Sequence, residues 1–197
     1  DSVVVQSEWA AVPNVHRFAH QAMATTFEII VQHTDKVYAR QAAGAAFEEL
    51  DRIENELSRY IENSDVARLN HLPAGQPLLV GIETFECLRI SAEIWSQTGG
   101  AFDVTVGLLL DSWRDENKKP RTPSPEELAF AREHTGMSLL HLDEDRYTVE
   151  LETSPVRVDL GGVGKGYAVD QMAVLLREWS IERALLNDEL DVADIPR

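Results

Sequence analysis

The chain has 197 residues, 44% of them apolar and 26% charged, and a formal net charge of −16. That length buries a real core, and the composition is that of an ordinary soluble globular protein, most simply one domain with two lobes as an alternative. The acidic balance, with no lysine/arginine cluster on any predicted helix, disfavours nucleic acid and acidic membranes, and no run of about 18 apolar residues spans a bilayer.

Residues 1–15 lack periodicity and read as an N-terminal arm, and the chain opens at Asp1 with no signal-peptide pattern, so a leader was removed or never present. Residues 25–32 alternate and carry β-branched side chains, which predicts a strand. Ala42, Ala46, Leu50, Ile53 and Leu57 recur at spacings of three and four, which predicts a long amphipathic helix over 38–57. A short strand follows at 77–80. A second helix over 84–98 runs through Phe85, Leu88, Ala92 and Trp95 and is ended by Gly99-Gly100. The single cysteine, Cys87, falls in this helix; it allows no internal disulfide and reads as a small buried hydrophobe rather than a nucleophile.

Residues 115–125 are charged and proline-rich, a surface loop or hinge. Ser124-Pro-Glu-Glu127 is a capping box with proline at the first helical position, opening a helix that stops at Gly136. Residues 139–142 and 146–151 flank an Asp-Glu-Asp turn and predict a hairpin. A strand over 156–160, a glycine loop, a helix over 167–179 and a last strand over 183–186 complete the pattern. Hairpins mixed with helical crossovers make the fold class α+β rather than doubly wound α/β.

The loop Gly161-Gly-Val-Gly-Lys-Gly166 lies where a strand gives way to a helix, so backbone N–H groups and a helix dipole can meet an anion there, with glycines expected so that the backbone adopts positive φ and approaches a ligand without a Cβ in the way. It is neither a P-loop, since Gly166 follows Lys165, nor a dinucleotide fingerprint, which needs glycine at Tyr167. The plainer reading is a turn that only joins two elements. Lys165 at a helix start is unfavourable for the dipole unless an anion offsets it, while Asp170 reads as a dipole-stabilising first-turn acid. Tyr60 can stack on a flat ring or be a half-buried aromatic at a helix end. Asp103 can bond ligand donors or simply cap a turn, and Ser64, Asp65 and Asn70 read mostly as turn-formers. The six histidines show no ligand spacing and do not read as a zinc site.

Four ordered blocks resemble the ApbE family, the FAD:protein FMN transferases. They are Ala22-Met-Ala-Thr-Thr-Phe-Glu28, Leu57-Ser-Arg-Tyr-Ile-Glu-Asn-Ser-Asp-Val-Ala-Arg-Leu-Asn70, Thr98-Gly-Gly-Ala-Phe-Asp-Val-Thr-Val-Gly107, and Val158-Asp-Leu-Gly-Gly-Val-Gly-Lys-Gly-Tyr-Ala-Val-Asp170. The resemblance implies an ApbE-like domain over residues 16–187, with a mixed, largely antiparallel sheet and packed helices, and a divergent tail over 188–197. It implies FAD as substrate and Mg2+, with FMN passed to a threonine or serine hydroxyl of an acceptor flavoprotein and AMP released. Cofactor contact then falls to Met23, Tyr60, Ala101, Asp103, Thr105 and Lys165, and a backbone carbonyl at Gly162 to the metal. ApbE relatives are often exported lipoproteins, so a periplasmic or membrane-associated setting is implied, although no lipobox cysteine is visible.

Two departures stand out. Leu108 follows Gly107 where the family usually has proline. After Ala184-Leu-Leu-Asn187 the family's Gly-Gly segment, its Asp-Ala-x-x-Thr-Ala metal motif and a histidine proposed as base have no counterpart, so the fold is expected to be truncated at the C-terminus, with an exposed sheet edge open to oligomerisation. The alternative function is a non-catalytic flavin-binding or protein-interaction remnant of the same scaffold.

Overall fold

The computed structural model describes residues 13–188. Within them the chain divides into two compact units, one built from residues up to Glu54 together with those from Lys165 onward, the other from Asn55–Gly164. The expected arm lies outside the described residues up to position 12, and Val15 already belongs to a strand; the expected tail lies outside them from position 189.

In the first unit, β1 (Val15–Ala22) and β2 (Thr25–Gln32) form an antiparallel hairpin in the register Val15↔Gln32 to Ala22↔Thr25. β1 was not foreseen, because its inner face is read from Phe18 and Ala22 alone among polar residues. The two loop residues, Met23 and Ala24, both have positive φ, 49° and 59°. That is the twist a two-residue hairpin requires, and it is normally supplied by asparagine or glycine. β6 (Ala184–Asn187) pairs antiparallel with β2, giving the order β1-β2-β6 with Leu185 exposed on the last strand. Helix α1 (Lys36–Leu57) begins two residues before the expected start, and its buried stripe is Ala39, Ala42, Ala43, Ala46, Leu50 and Ile53, each at most 1% exposed. Asp35 opens it, its carboxylate accepting from the N–H groups of Val37 and Tyr38 at 2.8 and 3.1 Å.

In the second unit, β3 (Leu78–Leu79), β5 (Thr148–Leu151) and β4 (Leu140–Asp143) form an antiparallel sheet in the order β3-β5-β4, with β4 and β5 the expected hairpin. Helix α3 (Ile82–Gln97) buries Phe85, Cys87 and Leu88 and ends as its glycines predict. Gly99 at φ 62° and Gly100 at φ 84° return N–H bonds to Ser96 and Trp95, a Schellman turn. Helix α5 (Pro125–Glu133) carries the predicted capping box. Two short helices, α2 (Asp65–Leu69) and α4 (Gly107–Ser112), were not foreseen. Ser64 and Asn70, read as turn-formers, are the caps of α2, with Asp65 its first residue.

The glycine loop leads into α6 (Gly164–Glu178), whose start lies three residues before the expected one. Asp170 therefore sits beyond the first turn, which holds no acid. The predicted strand over 156–160 is not a strand. It makes one parallel bridge, Val106↔Arg157. Val158 is held by the Asn70 side chain and Asp159 N–H donates to the Val104 carbonyl at 2.7 Å. Both classes of element, with antiparallel sheets throughout the named strands, make the fold α+β.

Candidate functional site

In the second unit the residues around the glycine loop are organised by Arg59, which follows α1 by two positions. Its guanidinium donates to both carboxylate oxygens of Asp111 at 2.5 and 2.7 Å and to Asp159 Oδ2 at 3.1 Å. Burial alone disfavours its charge, but the hydrogen bond and charge of Asp111, with help from Tyr60 and Asp159, hold Arg59 above the ordinary arginine value. The second oxygen of Asp159 accepts from Gly161 N–H at 2.9 Å, so one carboxylate links Arg59 to the opening of the loop. Arg157 lies nearby, donating to the Asn70 carbonyl; burial is the main cause that lowers it, the charge of Asp111 opposes and that of Arg59 adds to the lowering.

Tyr60 comes next in the chain and points its ring outward, 67% exposed. Two cations stand at the ring: the Arg59 guanidinium carbon 5.3 Å and the Lys118 ammonium 5.1 Å from its centroid. The half-buried alternative does not describe it. An exposed aromatic face beside a fixed arginine is a surface on which a flat, electron-poor ring can lie.

The loop glycines act differently from the expectation. None of Gly161, Gly162, Gly164 and Gly166 has positive φ. What Gly162 requires is close approach, since a Cβ there would stand 3.2 Å from the Phe102 ring. Gly162 as a residue is exposed.

Asp103 and Thr105 form a closed set. Asp103 Oδ1 accepts from the Thr105 N–H and hydroxyl at 2.8 and 2.6 Å, its Oδ2 accepts from Met137 N–H at 3.0 Å, and Thr105 Oγ1 accepts from Gly136 N–H at 2.7 Å. Thr105 is fully buried. These two residues fasten the 136–137 turn to the 98–107 segment, while Ala101 remains exposed on it.

In the first unit, Met23 occupies the left-handed hairpin turn, and its N–H donates to Glu54 Oε1 at 2.8 Å. A pocket of about 460 Å3 opens between that turn and Glu54. Lys165, half-buried, is the second residue of α6. The structure thus joins Tyr60 to the Gly161–Gly162 loop through Arg59 and Asp159, and joins Asp103 to Thr105. Sequence reasoning missed Arg59, Asp111 and Lys118; the signal at hand was an arginine directly preceding the aromatic in the Ser58-Arg59-Tyr60 block.

Among the described residues no three histidine, cysteine, aspartate or glutamate side chains gather to hold a metal. Asp159, the carboxylate nearest the loop in sequence, is committed to Arg59 and Gly161. Magnesium asks for about six oxygen ligands and is commonly bound through one or two carboxylates. The described residues do not fit a metal site by themselves.

The sequence model of the ApbE family matches residues 23–191. The FAD:protein FMN transferase of Klebsiella pneumoniae (strain 342) is 29% identical over 171 residues, 85% of this chain and 49% of that protein. That of Vibrio cholerae (strain O395) is 30% identical over 140 residues, 70% of this chain and 41% of that protein. Among solved structures, the ApbE protein of Thermotoga maritima superposes with a TM-score of 0.79 at 30% identity, covering 88% of this chain and 56% of that one. The apo flavinyl transferase ApbE of Pseudomonas stutzeri gives 0.80 at 26%, covering 88% and 58%. This chain therefore spans about half the length of the curated relatives it matches. The family match runs through all four sequence blocks and the antiparallel α+β architecture agrees with it: this chain belongs to the ApbE family.

Proposed function

We propose that this chain supplies the flavin-binding part of an FAD:protein FMN transferase, which passes FMN from FAD to a threonine or serine hydroxyl of an acceptor flavoprotein. The observation that carries the reading is Tyr60, 67% exposed and tied through Arg59 and Asp159 to the glycine loop. The isoalloxazine ring stacks on Tyr60, and the 161–164 loop takes the pyrophosphate; Lys165 is part of the proposal as a further cofactor contact. Met23, Ala101 and the segment held by Asp103 and Thr105 belong to the same proposal as cofactor contacts.

In the reaction the acceptor hydroxyl gives up its proton to solvent, its oxygen bonds to the phosphorus of the FMN half, and the bond from that phosphorus to the bridging oxygen breaks. AMP leaves with the bridging oxygen. Such a transfer asks the protein chiefly for positioning and charge stabilisation. Mg2+, with the Gly162 carbonyl as one ligand, is part of the same proposal for the whole transferase. A periplasmic or membrane-associated setting and self-association through the β6 edge are part of the same proposal.

The exposed Tyr60 ring serves equally a second reading, a flavin-binding module without catalysis. Two measurements decide. Quenching of flavin fluorescence reports FAD binding, and Tyr60→Ala is expected to weaken it about tenfold, the value of one stacking contact. Magnesium-dependent AMP release from saturating FAD by this chain supports the transferase; binding without release leaves the module. No FAD binding sinks both.

A further inference from the structure

Positive charge is concentrated at one place on this acidic chain. Arg114, Lys118, Lys119 and Arg121 fall within nine residues, Trp113–Arg121, of a protein whose net charge is −16. The segment is a small hairpin: Arg114 bridges Pro120, Asp115 N–H donates to the Lys119 carbonyl at 2.8 Å, and Arg121 N–H donates to the Trp113 carbonyl at 2.9 Å. The Asp115 carboxylate is turned onto its own loop, accepting from the N–H groups of Asn117 and Lys119 at 2.9 and 2.8 Å. At the tip, Lys118 has φ 60° and its ammonium lies 5.1 Å from the Tyr60 ring centroid.

The two cations at that ring differ in what neutralises them. Arg59 makes three hydrogen bonds to the carboxylates of Asp111 and Asp159. Arg121 pairs with Glu127 at 2.7 Å. Lys118 has no ion pair among the described residues, and the face of an exposed ring is a weak partner for a full charge. An anion arriving beside Tyr60 meets Lys118 as the available donor.

We propose that Lys118 is a phosphate-binding residue for a dinucleotide whose flavin ring stacks on Tyr60, and that it selects pyrophosphate-bearing FAD over neutral riboflavin. This rests on the reading of Tyr60 as the flavin platform. The ribityl chain sets the first phosphate of a flavin a short distance from its ring, within the swing of a lysine side chain. The ammonium exchanges its contact with the ring for charge-assisted hydrogen bonds to phosphate, the stronger kind. On a chain of this net charge, one unpaired cation at the mouth of the site also offsets the general repulsion of a polyanion.

The test measures dissociation constants of FAD, riboflavin and ADP by fluorescence for the wild-type protein, Lys118→Ala and Lys118→Arg, at low and high salt. The expected result is an about tenfold loss of FAD affinity in Lys118→Ala, riboflavin affinity unchanged, near-recovery in Lys118→Arg, and a smaller difference at high salt. Equal losses for FAD and riboflavin, or none, overturn the inference and leave the flavin reading standing. Lys118-dependent ADP binding with no riboflavin binding supports the phosphate role and removes Tyr60 as the platform. Binding of none of the three by the wild-type protein overturns both. Lys118 is exposed, and an unchanged melting temperature in both variants excludes a folding cause.

Discussion

The side-chain amide of Asn70 donates to the Val158 carbonyl at 2.9 Å and accepts from the Val158 N–H at 2.6 Å. One side chain, 4% exposed, thereby replaces a neighbouring strand for the segment that leads into the glycine loop. Asn70→Ala leaves a buried N–H and a buried carbonyl unpaired and is expected to cost about 2–4 kcal/mol in urea unfolding. Asn70→Asp keeps the acceptor but sets a carboxylate against a carbonyl. Burial raises the pKa of that new acid in the folded state, so the variant is weakest at neutral pH and regains stability as pH falls through the carboxylate range. A pH-independent loss would contradict this account.

Arg59 joins α4, through Asp111, to the segment that opens the loop, through Asp159. Its side chain is 11% exposed, whereas that of Asp111 is 51% exposed, so the Asp159 arm carries the greater penalty when broken. Arg59→Gln is expected to lower stability by about 1–3 kcal/mol. Arg59→Lys should recover little of it, because an ammonium cannot satisfy both carboxylates with a planar fork. Chemical denaturation of both variants checks the order.

Two glycines at opposite extremes give a paired prediction. A Cβ on Gly107 would stand 2.6 Å from the Arg157 carbonyl oxygen, while one on Gly166 meets nothing within 4 Å. Gly107→Ala must move backbone and is expected to destabilise by about 1–3 kcal/mol. Gly166→Ala lies in α6 and is expected to raise stability by up to about 1 kcal/mol. Thermal melts of the two variants should therefore shift in opposite directions.

Burial, with the charges of Glu83 and Glu86 adding to it, pushes the Cys87 thiol up to about 12. The folded state holds the proton more tightly than the unfolded one, so this contribution is complete below the ordinary thiol value of about 9 and is lost as pH rises towards 12. Native protein is expected to resist alkylation at pH 8 and to react once denaturant is added. Cys87→Ala should flatten the alkaline part of the stability profile.

Legibility followed the range of the interactions. Helices α1 and α3 show in the spacing of Ala42, Ala46, Leu50 and Ile53 and of Phe85 and Leu88, because burial along one helix repeats locally. Ser124 and Glu127, three positions apart, announced α5. The segment 156–160 alternates as a strand does, yet its partners are Asn70 and Val104, which no local pattern can reveal. Arg59 stayed unread for the same reason, with Asp111 and Asp159 at separations of 52 and 100 residues. At the glycine loop, small residues were legible but their cause was not: the Phe102 ring, rather than backbone twist, excludes a side chain at Gly162.

Asp103 commits both its oxygens to the Thr105 and Met137 backbone and the Thr105 hydroxyl, whereas Tyr60 is 67% exposed. In a living cell these two positions fail by different routes. Loss of Asp103 thins the supply of folded molecules through quality control, so its phenotype follows protein abundance. Loss of Tyr60, an exposed side chain, leaves the abundance intact and, on the proposed function, weakens flavin binding about tenfold.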